Sequence, residues 1–336
     1  MKAAAIDRFG PPSVLKLHTL PVPVPDDGEV LIALHAAGVG VWDADIRGGW
    51  WPEGRPKFPL ILGTDGAGVI TGKGRRTPRF KIGDRVWAYE FINPKGGFYA
   101  EYVAVNARHV GPVPKQLDLL HAGAAAVTGL TALQGIDDHL RVRRGQSVLV
   151  FGASGAVGTL AVQFAKRKGA RVIGTARGRA AQRLVRDLGA DVVIDPKKKN
   201  AADELRAFAP GGLHAALALA GGAALEELLA QLRPNGRTAY PNGVEPKPRK
   251  RGKIRVMAYD AVAGPKEFAR LNRAVDEARL QVPIAATYSL AQGAKAHTRI
   301  KRGHVLGRIV LRIRRGLARD RQNLPAAKRK GPLEMK

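Results

Sequence analysis

The stretch from Ser147 to Ala176, SVLVFGASGAVGTLAVQFAKRKGARVIGTA, constrains the fold more than any other part of this chain. An apolar run too short for a globular helix, SVLVF, meets a glycine cluster at Gly152, Gly155 and Gly158. A segment of helical periodicity follows, packing through Leu160, Val162, Phe164 and Ala165, and a second apolar run, RVIGTA, closes the unit. The pattern reads as strand, tight turn, helix, strand. Glycines suit such a turn because a backbone that approaches a diphosphate has no room for side chains, while amides at the start of the next helix, aided by its dipole, point at the anion. The spacing is Gly-x-x-Gly-x-x-Gly rather than Gly-x-Gly-x-x-Gly, so the glycines could also serve only to turn the chain and let helix pack on strand. The complete strand-helix-strand context favours a dinucleotide site, with Gly152, Ala153, Ser154, Gly155, Ala156 and Val157 around the diphosphate.

The end of the second strand selects between dinucleotides. An NAD site places a carboxylate about 20 residues beyond the glycines, on the ribose 2′-hydroxyl. Here that place holds Thr175, Ala176 and Arg177, with Arg179 and Arg183 close behind. Guanidinium groups bind a 2′-phosphate that a carboxylate would repel, each charge-assisted hydrogen bond contributing roughly 1.5 to 3 kcal/mol. Arg177 and Arg183 therefore point to NADPH. The bland alternative is a solvated helix face in an arginine-rich protein.

At 336 residues the chain is long enough for two domains, and 45% hydrophobic residues with 40 glycines suit an α/β protein. No run reads as long enough to cross a bilayer, and MKAAAIDRFG lacks the apolar core of a signal peptide, so the cytoplasm is the expected location and no membrane is expected as a partner. Cysteine is absent, which removes disulfides, thiolate zinc ligands and cysteine nucleophiles together. A net charge of +28 makes non-specific nucleic-acid binding through a basic surface plausible.

Up to about Leu120 the chain reads as short strands, MKAAAI, VLIALHAAGV, GAGVITG and GDRVWAY, with PVPVPDDGE as a stiff connector: the look of a partly open β barrel. The Gly-rich segment from Val39 to Gly63 reads as a loop carrying three of the four tryptophans, which could line an apolar pocket or plug a small barrel. Asp118 punctuates the entry to a helix of small residues that Thr128 and Gly129 are expected to interrupt, leaving a hydroxyl free to face a cofactor. Beyond the central unit, AAQRLVRDLGA, AADELRAFA and ALEELLAQLRPNG read as helices alternating with the strands DVVID, HAALALAGG and RTAYPNG, which implies a parallel sheet with right-handed crossovers. The helix KEFARLNRAVDEARL leads back to a closing strand near Arg308, and the basic residues after Arg314 read as a disordered tail.

In order, AAGVGVWDADIRGG, PLILGTDGAGVI, KIGDRVWAY, GGFYAEYV, AAAVTGLTAL, GASGAVGTLAVQFAK, LGADVVID, LRPNGR and GHVLGRIVL resemble the medium-chain dehydrogenase/reductase superfamily, and within it the zinc-free quinone oxidoreductase (zeta-crystallin-like) group. The resemblance covers about residues 1–313. It implies a GroES-like barrel domain from residues 1–120 and 266–313, a doubly wound Rossmann domain from 121–265, and a cleft between them. It carries Thr128 to the nicotinamide, Gly152 to Val157 to the diphosphate, Arg177 and Arg183 to the 2′-phosphate, and Asn242 and Gly243 to the ribose or nicotinamide. It also makes Gly303 to Arg308 a loop closing over the cofactor, and implies a homodimer.

Zinc-dependent relatives place a thiol or similar ligand near Gly40 and a His-Glu pair where this chain has Thr64 and Asp65, so no catalytic metal is expected. What remains is hydride delivery from NADPH to a quinone or an α,β-unsaturated carbonyl, chemistry that belongs to the cofactor while the protein supplies position and polarity. Some quinone reductases carry tyrosine at Asp45 and asparagine at Gly40, which leaves substrate polarisation open. Asp45 is either a proton donor or a solvated loop carboxylate. Trp42, Asp45, Trp50 and Phe91 are the candidate substrate pocket. His35, His109, His297 and His304 do not form a metal-spaced set. The rival reading is a nucleotide fold acting on nucleic acid through Lys247 to Arg255 and the tail.

Overall fold

The computed structural model describes residues 1–52 and 54–314. The basic tail expected beyond Arg314 lies outside the described residues.

The first third is β-rich. It contains β1 (Lys2–Ile6), β2 (Lys16–Thr19), β3 (Glu29–Val39), α1 (Val41–Gly48), β4 (Leu60–Ile61), β5 (Asp65–Lys73), β6 (Arg85–Tyr89), β7 (Tyr102–Asn106) and β8 (Val110–Pro112). The long helix α2 (Leu119–Gln134) follows. Then come β9 (Ser147–Phe151), α3 (Ala156–Arg167), β10 (Arg171–Thr175), α4 (Arg179–Asp187), β11 (Val192–Ile194), α5 (Ala201–Phe208), β12 (Leu213–Ala218), α6 (Ala223–Leu229), β13 (Leu232–Pro241) and β14 (Arg255–Tyr259). The chain returns through α7 (Pro265–Ala278), β15 (Ile284–Ser289), α8 (Gly293–Lys301) and β16 (Arg308–Arg312).

Two architectures result, and the fold is α/β. Strands β9 to β14 form a six-stranded parallel sheet in the order β11-β10-β9-β12-β13-β14. Residues of α2, α3, α4 and α7 pack in one apolar cluster with its strands, and those of α5 and α6 in another, so the sheet is doubly wound. The other unit is the GroES-like barrel, a seven-stranded sheet ordered β15-β16-β3-β5-β6-β8, with β7 also on β3, beside the small sheet β2-β1-β4. Its core is filled by Ile32, Leu34, Ile70, Phe98 and Tyr99, all nearly or fully buried. β16 enters it from the far end of the sequence, pairing antiparallel with β3 and parallel with β15.

Four expectations are corrected. The segment after Val39 is not all loop: α1 forms there, with Asp43 at its third position accepting from Gly40 N (2.7 Å), an entry cap that the surrounding glycines and tryptophans obscure. Helix α2 begins at its Asp118 cap, but Thr128 and Gly129 do not interrupt it. Thr128 Oγ1 donates to Ala124 O, and Gly129 lets Leu271 of α7 approach closely. The helix read through LRPNG ends at Leu229, because Leu232 already pairs with Leu213 in the sheet. Finally, Leu119–His139 is long and apolar enough by length and composition to cross a bilayer, but 89% of its apolar window is buried inside the protein, which makes it a core helix.

Candidate functional site: a glycine turn facing a buried polar cluster

The glycine turn is built from both of its flanking strands. Thr175 Oγ1, at the end of β10, accepts from Gly152 N (2.8 Å), and Thr175 O accepts from Ala153 N (3.1 Å). Gly152 sits at φ +87°, where a side chain would be strained. A Cβ at Gly158 would collide with the Gly152 carbonyl, so that glycine fixes helix against strand. Gly155 is different: a Cβ there would meet only Gly152 O, at 3.5 Å, so the space before it is open. Gly155 is the N-cap of α3, and no side chain caps that terminus, which leaves its first amides available to an anion. The cradle of residues 152–157 therefore fits a diphosphate. The residue before β16 touches the turn: Gly307 N donates to Ser154 O (2.9 Å), and Gly155 and Gly307 form an isolated parallel bridge.

Beside the turn, Arg177 stands two residues past the end of β10, and Arg179 and Arg183 lie on α4. All three are exposed, and none is ion-paired among the described residues. Ala176 is buried, and its N–H donates to Ile194 O. Thr175 thus supports the turn through its hydroxyl, and the neighbouring guanidinium groups are the ones left free. Asn242 and Gly243 follow β13. Asn242 Nδ2 donates to Asp260 Oδ2 (2.8 Å), and Gly243 has φ +89°. Thr128 is fully buried on α2 and its hydroxyl serves its own helix.

The barrel side presents a polar cluster that the sequence did not single out. Asp65 is buried, ion-paired to Arg308 (2.8 Å), and accepts from Val127 N (3.2 Å) at α2. Burial raises its carboxyl, and Arg308 opposes the rise. Arg308 also lies over the Trp42 ring, 5.0 Å from its centroid, and Trp42 Nε1 donates to Thr64 Oγ1 (2.6 Å). Behind these runs a directional chain of donors. Arg47 Nε donates to His297 Nδ1 (3.2 Å), so the ring proton sits on Nε2, which faces Tyr99 Oη (3.4 Å); the phenol in turn donates to Asp43 Oδ2 (3.1 Å). Burial, aided by Arg47, lowers His297 to about 3, so the imidazole is neutral. Burial raises Asp43 to about 7, opposed by the Gly40 amide and Arg308. Asp43 Oδ1 is buried without a hydrogen-bond partner.

Of the expected substrate pocket, the structure brings Trp50 and Phe91 together, ring centroids 5.8 Å apart and both exposed. Trp42 belongs instead with Thr64 and Arg308. Asp45 is exposed on α1; partial desolvation raises its carboxyl, and Arg47 lowers it. The polar cluster went unread because its members are scattered along the chain. Its one local signal is Arg308, a charged residue opening the apolar run RIVL.

A zinc ion does not fit here. A Cβ at Gly40 would collide with the Trp42 indole, the Thr64 hydroxyl receives the indole N–H, and Asp65 is held by Arg308. Among the described residues no group of three or more His, Cys, Asp or Glu could hold a metal.

A parallel doubly wound sheet with an open glycine turn, beside a GroES-like barrel whose last strand begins next to that turn, is the architecture of a dinucleotide-dependent dehydrogenase. Residues 26–115 match the alcohol dehydrogenase GroES-like domain family and residues 156–251 the zinc-binding dehydrogenase family. The chain is 31% identical over 317 residues to the quinone oxidoreductase of Mus musculus, covering 90% of this chain and 95% of that one. A crystal structure of an NAD-dependent alcohol dehydrogenase superposes with a TM-score of 0.86 at 28% identity, over 94% of this chain and all of that one. A mycobacterial protein solved with NADPH does so with a TM-score of 0.81 at 28% identity, over 93% and 99%. The chain belongs to the medium-chain dehydrogenase/reductase family, in its quinone oxidoreductase group, and is an oxidoreductase.

Proposed function

We propose that this protein is an NADPH-dependent reductase of quinones or α,β-unsaturated carbonyls that works without a metal. The observation that carries the cofactor choice is the pair of exposed guanidinium groups, Arg177 and Arg183, not ion-paired among the described residues, beside an open glycine turn, where the end of β10 has Thr175, Ala176 and Arg177 in place of a carboxylate. When bound, NADPH supplies a hydride, and a proton from the protein or solvent completes the two-electron reduction. Residues 152–157 hold the diphosphate, Arg177 and Arg183 the 2′-phosphate, and Asn242 and Gly243 line the nicotinamide end of the sheet. The exposed Trp50 and Phe91 offer aromatic surface to a flat electrophile, while Trp42 is held by Thr64 and Arg308. Asp45, the acid on α1 that solvent reaches, is the candidate proton donor. The edge strand β14 leaves one side of its backbone unpaired and joins a second copy in a homodimer.

Fluorescence titration with NADPH and NADH tests the cofactor assignment. NADPH binds roughly a hundredfold tighter, and Arg177→Ala removes at least about tenfold of that preference. NADPH oxidation against quinones, enones and aldehydes, with and without chelator, tests the rest. Equal affinity for the two nucleotides, or activity lost to the chelator, rejects the reading.

A further inference from the structure

The edge of the parallel sheet away from the glycine turn carries a second concentration of positive charge, and this one is crowded. Arg237 on β13 pairs in register with Arg255 on β14, which places two guanidinium-bearing side chains on adjacent strands about 4.8 Å apart. Arg141 and Arg143, in the loop before β9, reach the same place. Their charges and that of Arg255 hold Arg237 below its ordinary value, after the effect of its own burial, and no carboxylate acts to offset them. None of Arg141, Arg143, Arg233, Arg237 and Arg255 is ion-paired among the described residues, although ten other Lys and Arg side chains are.

The hydrogen bonds at this corner show a shortage of acceptors. Arg237 Nε is buried without a partner. The side-chain oxygen Oε1 of Gln146 receives both Arg143 N (3.1 Å) and an Arg237 terminal nitrogen (3.3 Å). His214 Nδ1 lies 2.9 Å from Ser147 Oγ, and its Nε2 lies 2.9 Å from Arg233 Nη1, so the one neutral ring nitrogen on this side is an acceptor for a guanidinium and not a counter-charge. A buried unmatched N–H and an uncompensated cluster of like charge are what remains when a site lacks its anion.

We propose that Arg143, Arg233, Arg237 and Arg255, beside His214, form a binding site for a polyvalent oxyanion of the phosphate class, separate from the cofactor cradle. The two sites lie at opposite ends of β9, about 15 Å apart along the strand. Three exposed forked cations around one half-buried guanidinium suit an anion with several acceptor oxygens, and a singly charged ion would leave most of the donors unmet.

The test uses the protein with and without excess NADPH at constant ionic strength, with inorganic pyrophosphate, inorganic phosphate, ADP and chloride as probes. Its readout is the His214 ring resonance, which reports this corner whether or not the cofactor assignment holds. Burial, then the charges of Arg233 and Arg237, lower the His214 pKa, while Ser147 and the Gly212 carbonyl on its other side are neutral. A bound anion therefore raises its titration midpoint. Saturable pyrophosphate binding with an upward shift of His214, weakened about tenfold or more by Arg237→Gln and by the exposed Arg143→Gln but not by Arg177→Ala, supports the site. Tighter binding of ADP assigns the phosphates to a larger molecule, and equal binding to the free anion; both support it. A His214 shift equal in chloride, or pyrophosphate affinity unchanged in both glutamine variants, overturns it, as would a carboxylate from a second copy already filling the corner, seen as no response to any anion.

Discussion

Asp43 ties stability to pH. Its folded pKa of about 7 lies above the ordinary 3.8, so the folded state holds a proton that the unfolded chain has given up. The sign follows: this residue's contribution is complete below about pH 4, is lost as pH rises toward about 7, and is constant above that. Asp43→Asn keeps an oxygen for Gly40 N and Tyr99 and gives up the ionisation. Thermal unfolding should find the variant matching the wild type near pH 4 and more stable at pH 8, by on the order of a few kcal/mol. Arg308 behaves oppositely, because removing it strands a buried carboxylate. Urea unfolding of Arg308→Met should show a loss of about 3–5 kcal/mol, with much of it recovered in the Asp65→Asn double variant. Neither residue was legible in the sequence. Tyr99 stands 56 residues from Asp43, His297 198 from Tyr99 and Arg47 250 from His297, so only the fold joins them. The proposed role of Arg177 rests on a turn some twenty positions upstream, a local relation that a sequence can display.

The strand-turn-helix around Gly152 shows which elements a sequence declares. Its apolar periodicity and glycines are local, and β9, α3 and β10 fall where the pattern placed them. Helix α1 was missed because its cap is a glycine whose partner, Asp43, acts through a backbone amide amid aromatic, glycine-rich sequence. The start of β13 was hidden because helix-forming residues run up to it, and pairing with β12 decides the boundary. The glycines of the turn should also separate by role. Gly155→Ala, whose new methyl faces open space, should unfold like the wild type yet bind NADPH at least about tenfold more weakly by fluorescence titration, because the methyl enters the anion's place. Gly158→Ala should lower the unfolding midpoint itself, since its methyl is driven into backbone.

At the scale of the whole molecule, the barrel is completed from the far end of the sequence. Truncation before Arg308 removes β16, which β3 and β15 both pair with, and circular dichroism should show the barrel unable to form. Assembly is tested on the other sheet, where Val256 and Met257 stand half-exposed on the edge strand β14. Met257→Asp should sediment as a monomer while still binding NADPH. The bridge between Gly155 and Gly307 reaches further than its single hydrogen bond suggests. The next residue after that contact is Arg308, so a tug on the nucleotide loop is felt one peptide later by the pair that steadies Trp42. A substitution that shifts the glycine turn should therefore move the Arg308–Trp42 contact with it, read as a change in indole fluorescence.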